Sequence, residues 1–431
     1  MEELMTKKVL IIIFALVVFI NSRALANPNI ESGSAMLMEA DTGQILYDKN
    51  SNVKQYPASI TKVLTAIIAL EHNELEDVVV VGNDVPNQIE SGSSAIYLIP
   101  DEKLTMEQLM YGLLVESGND VAVAIAEQTS GSVEEFSKLM NAKAKALGAN
   151  DSNFVNPHGL HNENHYTTAH DMALIMREAI KNPILLNLMT TKNYIIPETN
   201  KQDTRYLWTK NRLYRSDTGE FFYDKVIASK TGFTSVARNT LLSAAEENGM
   251  RLIAVVLQSN GVASYSDTIN MFEYGFDNFV TSTLVNKNEF IQEYSIQDAT
   301  SPLKIVSRST VKYVVNKDND KEIVASINIS KDLSPSIKEG EKIGTVEYSL
   351  DATKIAEADL VSGNELESVN SVRFNKIIKS LVWVLPGILG LYIFARLYVF
   401  VKNTQIRKRR YKRQSAIKYI KKSSNNEYSK Y

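Results

Sequence analysis

Hydrophobic positions divide the chain into four stretches with different periodicities. An apolar run covers residues 9–20, and a mixture of helical and strand-like spacing follows to about residue 280. Short strand-like segments continue to about residue 365, and a second apolar run covers residues 381–401. The pattern therefore predicts two structural domains between two terminal hydrophobic segments.

The mixed region predicts an α+β domain at residues 27–280. Strand-like segments lie near both of its ends, at 35–39, 44–47, 225–229, 239–244 and 252–257. Helical spacing predicts a helix that starts near Ser59 and others at 105–115, 121–127, 133–147, 169–180 and 266–279. Strands at both ends with helices between them indicate a sheet built from distant segments, with a cleft between a sheet edge and the helical insert.

Residues 281–365 are predicted to form a small all-β domain. Their strand-like segments are separated by Asp, Asn, Ser and Pro, and lie at 304–306, 312–315, 322–329 and 342–348. Residues 366–380 are interpreted as a linker to the second apolar run.

The N-terminal segment resembles an export signal. Lys7 and Lys8 precede the apolar run, and Ala24-Leu25-Ala26 supplies small residues at alternate positions, as a signal peptidase requires. Residues 1–26 are therefore interpreted as a cleaved signal peptide. The alternative, an N-terminal membrane anchor, is disfavoured because the run is short for a span.

Residues 381–401 are long enough to cross a bilayer and carry Trp383 and Tyr398 near the two interfaces. The tail at 402–431 holds eleven Lys and Arg residues and Glu427 as its acid, a density typical of the cytoplasmic side of a span. A nucleic-acid arm is the alternative, but its position directly after the span favours a role in orientation. The working part of the protein is thus predicted outside the cytoplasm.

Composition excludes several chemistries. The chain has 47 basic and 50 acidic residues, a net charge of -3, so no global field would recruit nucleic acid. It contains no cysteine, which rules out disulfides, thiol nucleophiles and cysteine-ligated metal centres. A nucleophile must therefore come from another residue type.

Ser59 and Lys62 form the first candidate pair for nucleophilic chemistry. They are three residues apart at a predicted helix start, which places both side chains on one face. A serine hydroxyl needs a base, and a lysine amine of lowered pKa supplies one. The apolar residues 63–66 would bury Lys62 and lower its pKa by desolvation. Other pairs with this spacing are interpreted as solvated surface: Ser51/Lys54, Ser301/Lys304, Ser309/Lys312 and Ser415/Lys418.

Two tripeptides supply further polar side chains. Ser117-Gly118-Asn119 joins two predicted helices, where a short loop can aim a hydroxyl and a carboxamide into a cleft, although Asn119 is equally suited to cap a helix. Lys230-Thr231-Gly232 follows a predicted strand, and its cation and hydroxyl suit a carboxylate. Neither tripeptide alone identifies a function.

In their order along the chain, the three motifs match the set of penicillin-binding proteins and class A β-lactamases, with Gly118 where an aspartate is common. Neighbouring segments narrow the match, namely Met38-Glu39-Ala40-Asp41-Thr42-Gly43, Leu46-Tyr47-Asp48-Lys49-Asn50, Pro57-Ala58-Ser59, Asn156-Pro157-His158-Gly159-Leu160 and Lys230-Thr231-Gly232-Phe233-Thr234. The chain resembles the serine-type D-alanyl-D-alanine carboxypeptidases, which are low-molecular-mass penicillin-binding proteins. The resemblance is close over residues 35–279 and looser over the β-rich region.

The resemblance implies a β-lactamase/transpeptidase-like catalytic domain, followed by the all-β domain and the transmembrane helix. It implies removal of the terminal D-alanine from peptidoglycan stem pentapeptides, inhibition by β-lactams, and no metal or organic cofactor. By the same resemblance, Ser59 would be the nucleophile, Lys62 its base and Ser117 a proton relay. The substrate would be held by Asn119, Lys230, Thr231, Gly232 and Phe233, with the oxyanion between the backbone N–H groups of Ser59 and Phe233.

The chain departs from the family in two places. Phe233 follows the glycine where some relatives carry histidine, so substrate preference does not transfer in detail. Family members often end in an amphipathic helix on the membrane surface, whereas this sequence predicts a true span and a basic tail.

Four other functions remain open from the sequence. A zinc site could use His158, His161, His165 and His170 with Glu163 or Asp171, but no His-Glu-x-x-His motif is present. A peptidoglycan DD-endopeptidase and a β-lactamase would use the same nucleophile. A non-catalytic wall-binding protein is disfavoured because all the catalytic residue types are present.

Overall fold

The computed structural model describes residues 27–318, 321–330 and 332–427, so the predicted signal peptide lies outside the described residues. The chain divides into two compact units. The first runs up to Leu284 and includes Lys312–Glu322, and the second contains Val285–Val311 and the chain from Ile323 onward.

The first unit is built on a five-stranded antiparallel sheet. Its strands and those of three smaller pairings are β1 Ser34–Glu39, β2 Ile45–Lys49, β3 Val78–Val80, β4 Lys103–Thr105, β5 Asn193–Ile196, β6 Arg205–Trp208, β7 Val226–Thr234, β8 Arg238–Glu247, β9 Met250–Ser259 and β10 Phe279–Val285. The order in the main sheet is β2-β1-β9-β8-β7, so strands from both ends of the unit are neighbours. The predicted sheet from distant segments is confirmed.

Helices cover both faces of this sheet. They are α1 Lys62–His72, α2 Met106–Tyr111, α3 Asn119–Ser130, α4 Val133–Ala146, α5 Ala169–Ala179, α6 Pro183–Thr190 and α7 Ala263–Asn278. Alternate residues of β1 enter different cores: Met36 and Met38 pack with α1, and Leu37 packs with Phe272 of α7. This two-residue alternation is what places apolar side chains on both faces of a central strand.

The predicted helices and strands of the first unit are present, with two informative differences. The segment predicted as a helix at 105–115 ends in a π-helical turn at Gly112–Glu116. The strand predicted at 225–229 continues through Lys230-Thr231-Gly232 to Thr234, so this tripeptide lies within β7 instead of after it. Strands β3 to β6 and helix α6 were not predicted, because their segments are short and have no clear period.

The second unit contains a five-stranded antiparallel sheet in the order β11-β12-β16-β15-β14. The strands of this region are β11 Phe290–Tyr294, β12 Leu303–Ser307, β13 Val311–Asn316, β14 Val324–Ile329, β15 Lys342–Leu350 and β16 Thr353–Ser362. Strand β13 lies outside this sheet. It pairs with β10 and belongs mostly to the first unit. The predicted all-β character is confirmed.

A single helix, α8 Val369–Glu427, carries the second apolar run. Its composition and length are those of a membrane-spanning helix. With a rise of about 1.5 Å per residue, its 59 residues exceed the roughly 30 Å that a bilayer core requires. Most of the predicted linker at 366–380 and the described part of the basic tail are therefore helical.

A loop at 156–160 holds the start of α1 in place. Thr65 donates a hydrogen bond to the Pro157 carbonyl at 2.6 Å, and Gly159 has a φ of +86°. A Cβ on Gly159 would lie 1.9 Å from the Ala58 carbonyl oxygen. The loop therefore touches the residue before Ser59 so closely that only glycine fits.

Replacing this glycine tests how tightly the loop is packed. Gly159→Ala is expected to lower the free energy of unfolding by well over the ~1–2 kcal/mol that a left-handed alanine costs alone. Gly131→Ala is the matched control, because Gly131 has a φ of +84° and no atom within 4 Å of the added Cβ. Equal losses in denaturant unfolding of the two variants would show that the clash with Ala58 has no effect.

Candidate active site

The predicted nucleophile lies in a tight turn that leads into α1. Ser59 belongs to a 3-10 helix at Ala58–Thr61, and Lys62 is the first residue of α1. Residues three apart eclipse one another in a 3-10 helix, which brings Lys62 Nζ to 2.9 Å from Ser59 Oγ. Ala58 adopts a φ of +51°, a conformation that costs energy for a non-glycine residue and is typical of functional sites.

Lys62 has no exposure to solvent, and its amine touches three oxygen atoms. Besides Ser59 Oγ, these are Asn119 Oδ1 at 2.6 Å and the His158 carbonyl at 2.9 Å. The two carbonyl oxygens can only accept hydrogen bonds, whereas the serine hydroxyl can also donate one. A neutral amine would thus give its two protons to the carbonyls and direct its lone pair at Ser59.

Electrostatics favour that neutral form. Burial lowers the pKa of Lys62 well below its usual value of 10.5, and the nearby charge of Lys230 lowers it further, against an opposing effect of Asp120. The site can therefore supply a base next to the serine hydroxyl near neutral pH.

Ser117 and Asn119 sit at the junction between the π-helical turn and α3. Ser117 has a φ of +68°, which turns the chain sharply before Asn119 begins α3. Gly118 occupies the N-cap position, so the alternative role of Asn119 as an N-cap is wrong, and its side chain contacts Lys62 instead. The sequence could not separate these two roles.

Asp120 anchors this junction and was not predicted. Its buried carboxylate accepts hydrogen bonds from the backbone N–H groups of Ile96 at 3.2 Å, Leu98 at 2.9 Å and Val121 at 2.9 Å. Because hydrogen bonds to a carboxylate are strong, they fix the loop at 96–98 against the start of α3. A lone aspartate after Asn119 carries no sequence signal for such a role.

Strand β7, the edge strand of the main sheet, forms the opposite wall. Lys230 is buried, and its Nζ lies 2.8 Å from Ser117 Oγ and 3.0 Å from the Thr231 carbonyl. Burial lowers the pKa of Lys230 to about 7, with a further lowering by Lys210. A Cβ on Gly232 would lie 2.8 Å from the backbone nitrogen of Ser59, so glycine is needed for the strand to reach the nucleophile.

These elements enclose one cleft with a volume of about 390 Å³. Seven of the eight predicted site residues line it, and Lys62 lies beneath its surface, in contact with Ser59. The predicted position of the cleft, between a sheet edge and the helical insert, is confirmed. The cleft also includes residues that the sequence analysis missed: Glu116, Thr209, Lys210, Asn211 and Tyr214.

One member of the histidine cluster, His165, is held inside the loop by hydrogen bonds. His165 accepts a hydrogen bond from the Val155 N–H on Nδ1 and faces Thr61 Oγ1 through Nε2 at 3.0 Å. Burial lowers its pKa to about 3, so it stays neutral. Within the described ranges, no three His, Asp or Glu side chains are grouped as metal ligands.

A cleft serine paired with a buried lysine, beside the edge strand of a sheet covered by helices, defines the serine–lysine class of acyl-transfer enzymes. Comparison with family models specifies the class. Residues 21–261 match the D-alanyl-D-alanine carboxypeptidase family of serine peptidases, and residues 279–368 match the C-terminal domain of penicillin-binding protein 5. The chain belongs to this carboxypeptidase family and is a serine-type peptidase.

Individual relatives agree with this assignment. The chain is 31% identical to D-alanyl-D-alanine carboxypeptidase DacF of Bacillus subtilis, over 80% of this chain and 88% of the relative. It is 30% identical to DacA of Haemophilus influenzae, over 84% and 91%. The solved structure of penicillin-binding protein 5 from Haemophilus influenzae superposes with a TM-score of 0.70 and 29% identity, over 80% of this chain and 99% of that structure.

Lys62→Met tests the neutral amine. In the unfolded chain Lys62 keeps its proton up to about pH 10.4, whereas burial lowers the folded pKa, so folding releases a proton between the two values. The wild-type protein should therefore gain stability over the variant as pH rises, by about 1.4 kcal/mol per unit within that window.

Denaturant unfolding at several pH values between 7 and 9 measures the stability gap, which is the difference in free energy of unfolding between the wild-type protein and the variant. Lys138→Met, at an exposed position on α4, should give a gap that does not change with pH over this range. A constant gap for Lys62→Met would contradict the lowered pKa. The variant should also lose peptidase activity.

Proposed function

We propose that the protein removes the terminal D-alanine from peptidoglycan stem pentapeptides through an acyl-enzyme on Ser59. The observation that carries this proposal is the 2.9 Å contact between Ser59 Oγ and a buried amine whose other two partners are carbonyl oxygens. This arrangement activates a hydroxyl without a histidine or a metal.

Acylation begins when Ser59 Oγ attacks the carbonyl carbon of the penultimate residue and Lys62 takes the hydroxyl proton. The oxyanion is stabilised by the backbone N–H groups of Ser59 and Phe233, each worth about 3 kcal/mol. The C–N bond then breaks as the proton held by Lys62 is relayed through Ser117 to the departing amine of D-alanine, which returns Lys62 to its neutral form. Water attacks the ester and gives a proton to Lys62, and Lys62 returns it to Ser59 Oγ as the ester C–O bond breaks.

The substrate is held at its free C-terminus. Lys230 and Thr231 bind the terminal carboxylate, and Asn119 orients the substrate amide. Gly232 supports the proposal, because the lack of a side chain there leaves room for the strand to meet the Ser59 backbone. A β-lactam presents a similar acyl group and a carboxylate, and would acylate the same serine.

Release of D-alanine from diacetyl-lysyl-D-alanyl-D-alanine by the detergent-solubilised full chain tests this function. We expect release by the wild-type protein and a single benzylpenicillin adduct by intact mass, both lost in Ser59→Ala. Ser301→Ala is the matched control, since Ser301 precedes Lys304 with the same spacing on the exposed surface.

Two results would contradict the proposal, the first on the substrate and the second on the mechanism. An adduct at Ser59 without release would indicate a different substrate, as expected for an endopeptidase. A folded protein that gives neither release nor adduct would refute the acyl-enzyme mechanism.

We further propose a topology with the catalytic unit outside the cytoplasm and the C-terminus inside. The apolar run of α8 is followed by positive charges that favour the cytoplasmic side, namely Arg407, Lys408, Arg409, Arg410, Lys412, Arg413, Lys418, Lys421 and Lys422. The segment before the run also carries positive charges, but fewer: Arg373, Lys376 and Lys379. This asymmetry supports a single-pass protein of the cell membrane.

Single cysteines can report the orientation, because the chain has none of its own. A membrane-impermeant maleimide should label Ser309→Cys on intact cells and should label Ser415→Cys only after the membrane is permeabilised. The opposite labelling pattern would reverse the topology. Equal labelling of both variants on intact cells would refute a span.

A further inference from the structure

The hairpin of β5 and β6 exposes large apolar side chains where polar ones are expected. Ile195 is 54% exposed, Tyr206 is 64% and Trp208 is 61%. The inner face of the hairpin is apolar, as expected, since Ile196 and Leu207 are buried in the core of the first unit. In antiparallel pairs with one buried face, the outer positions are normally polar. We name Ile195, Tyr206 and Trp208 the hairpin platform.

The strand register makes this platform continuous. Ile195 pairs directly with Tyr206, and Asn193 pairs with Trp208. Opposed residues have Cβ atoms about 5 Å apart, and Tyr206 and Trp208 follow each other at about 7 Å along one face of β6. The two rings and the isoleucine thus form one apolar surface, with the Asn193 amide beside the indole.

Side-chain contacts on its inner face hold the hairpin in place. On the inner face, the Tyr194 ring stacks on Tyr111 with 3.8 Å between the ring centroids. Arg205 forms an ion pair with the buried Glu102 at 2.5 Å and donates to the Ile96 carbonyl at 3.2 Å. A preorganised surface loses little entropy when a ligand binds to it.

The platform also continues directly into the catalytic cleft. The backbone N–H of Trp208 donates to Glu116 Oε2 at 3.4 Å, and Glu116 immediately precedes Ser117. Glu116 Oε1 also accepts from Lys210 Nζ at 2.6 Å. Glu116, Thr209 and Lys210 all line the cleft. The apolar surface therefore starts at the residue next to the cleft wall.

We propose that the hairpin platform binds sugar rings of the glycan strand that carries the stem peptide. This rests on the proposed function, in which the D-alanine end of the stem occupies the cleft. Five extended residues reach at most about 18 Å, so the glycan must lie close to the cleft mouth. Sugar rings present C–H faces that pack on aromatic rings, while their hydroxyls bond to neighbouring polar groups such as the Asn193 amide.

Charge argues for a saccharide over a lipid surface as the occupant. Lys210 beside the platform is paired with Glu116 at 2.6 Å, and the exposed Lys192 next to Asn193 is far short of the clusters of Lys and Arg that bind anionic headgroups. Large exposed apolar surfaces usually mark binding sites. Because the platform adjoins the cleft wall, we expect it to bind the glycan strand of the same substrate.

The first test compares a short peptide substrate with a glycan-linked one, using the full chain in detergent. Trp208→Ala and Tyr206→Ala should change kcat/KM on diacetyl-lysyl-D-alanyl-D-alanine by less than twofold. On a disaccharide-linked pentapeptide oligomer they should raise KM at least fivefold with kcat unchanged, and Trp208→Tyr should restore most of the loss. Phe290→Ala, at an exposed aromatic position of the second unit, should affect neither substrate.

Trp208 also allows a direct binding measurement. The chain has two tryptophans, Trp208 and Trp383, so Trp383→Phe leaves the platform indole as the fluorophore. Titration with peptide-free N-acetylglucosamine–N-acetylmuramic acid oligomers should give a saturable blue shift, which Tyr206→Ala weakens. This signal needs no catalysis, so it separates the platform from the proposed function if no D-alanine is released.

Three results would overturn the proposal. The first is the absence of a saturable shift with the oligomers. The second is an equal loss on the short and the glycan-linked substrates, which would make the hairpin a structural support of the cleft. The third is a shift produced by anionic phospholipid vesicles and not by the oligomers.

Discussion

The site depends on a lysine amine that is kept out of water. An ammonium group inside a protein is costly unless it is paired with a negative charge, and Lys62 instead contacts a hydroxyl and two neutral carbonyl oxygens. The same burial that destabilises its charged form makes it a base at neutral pH. Three separate segments must therefore close over it: the start of α1, the start of α3 and the loop that contains His158.

These segments meet where their backbones pack very close to one another. Gly159 leaves no room for a Cβ beside the Ala58 carbonyl, and Gly232 leaves none beside the Ser59 nitrogen, so two glycines pack against the nucleophile turn. Positive φ values at Ala58 and Ser117 add strain at the two hydroxyl-bearing turns. A stable helical and sheet scaffold compensates for such strain, and the rigid turns keep both hydroxyls directed into the cleft.

The sequence predicted most of this arrangement because the signals are local. Ser59 and Lys62 are three residues apart at a helix start, and apolar residues follow them, so burial of Lys62 could be inferred. The roles of Asp120 and of the His158 carbonyl could not, because they depend on contacts between distant segments and on backbone atoms. Lys210 lies in a region of short elements without clear periodicity, so its place at the cleft also required the fold.

The two buried lysines of the cleft have opposite requirements in the proposed mechanism. Lys62 must be neutral to accept a proton, whereas Lys230 must be charged to hold a carboxylate. In the free cleft, burial brings the pKa of Lys230 to about 7, so it is only partly charged at neutral pH. A bound carboxylate favours the ammonium form of Lys230 and raises that pKa. Substrate binding thus charges one lysine and leaves the other free to act as the base.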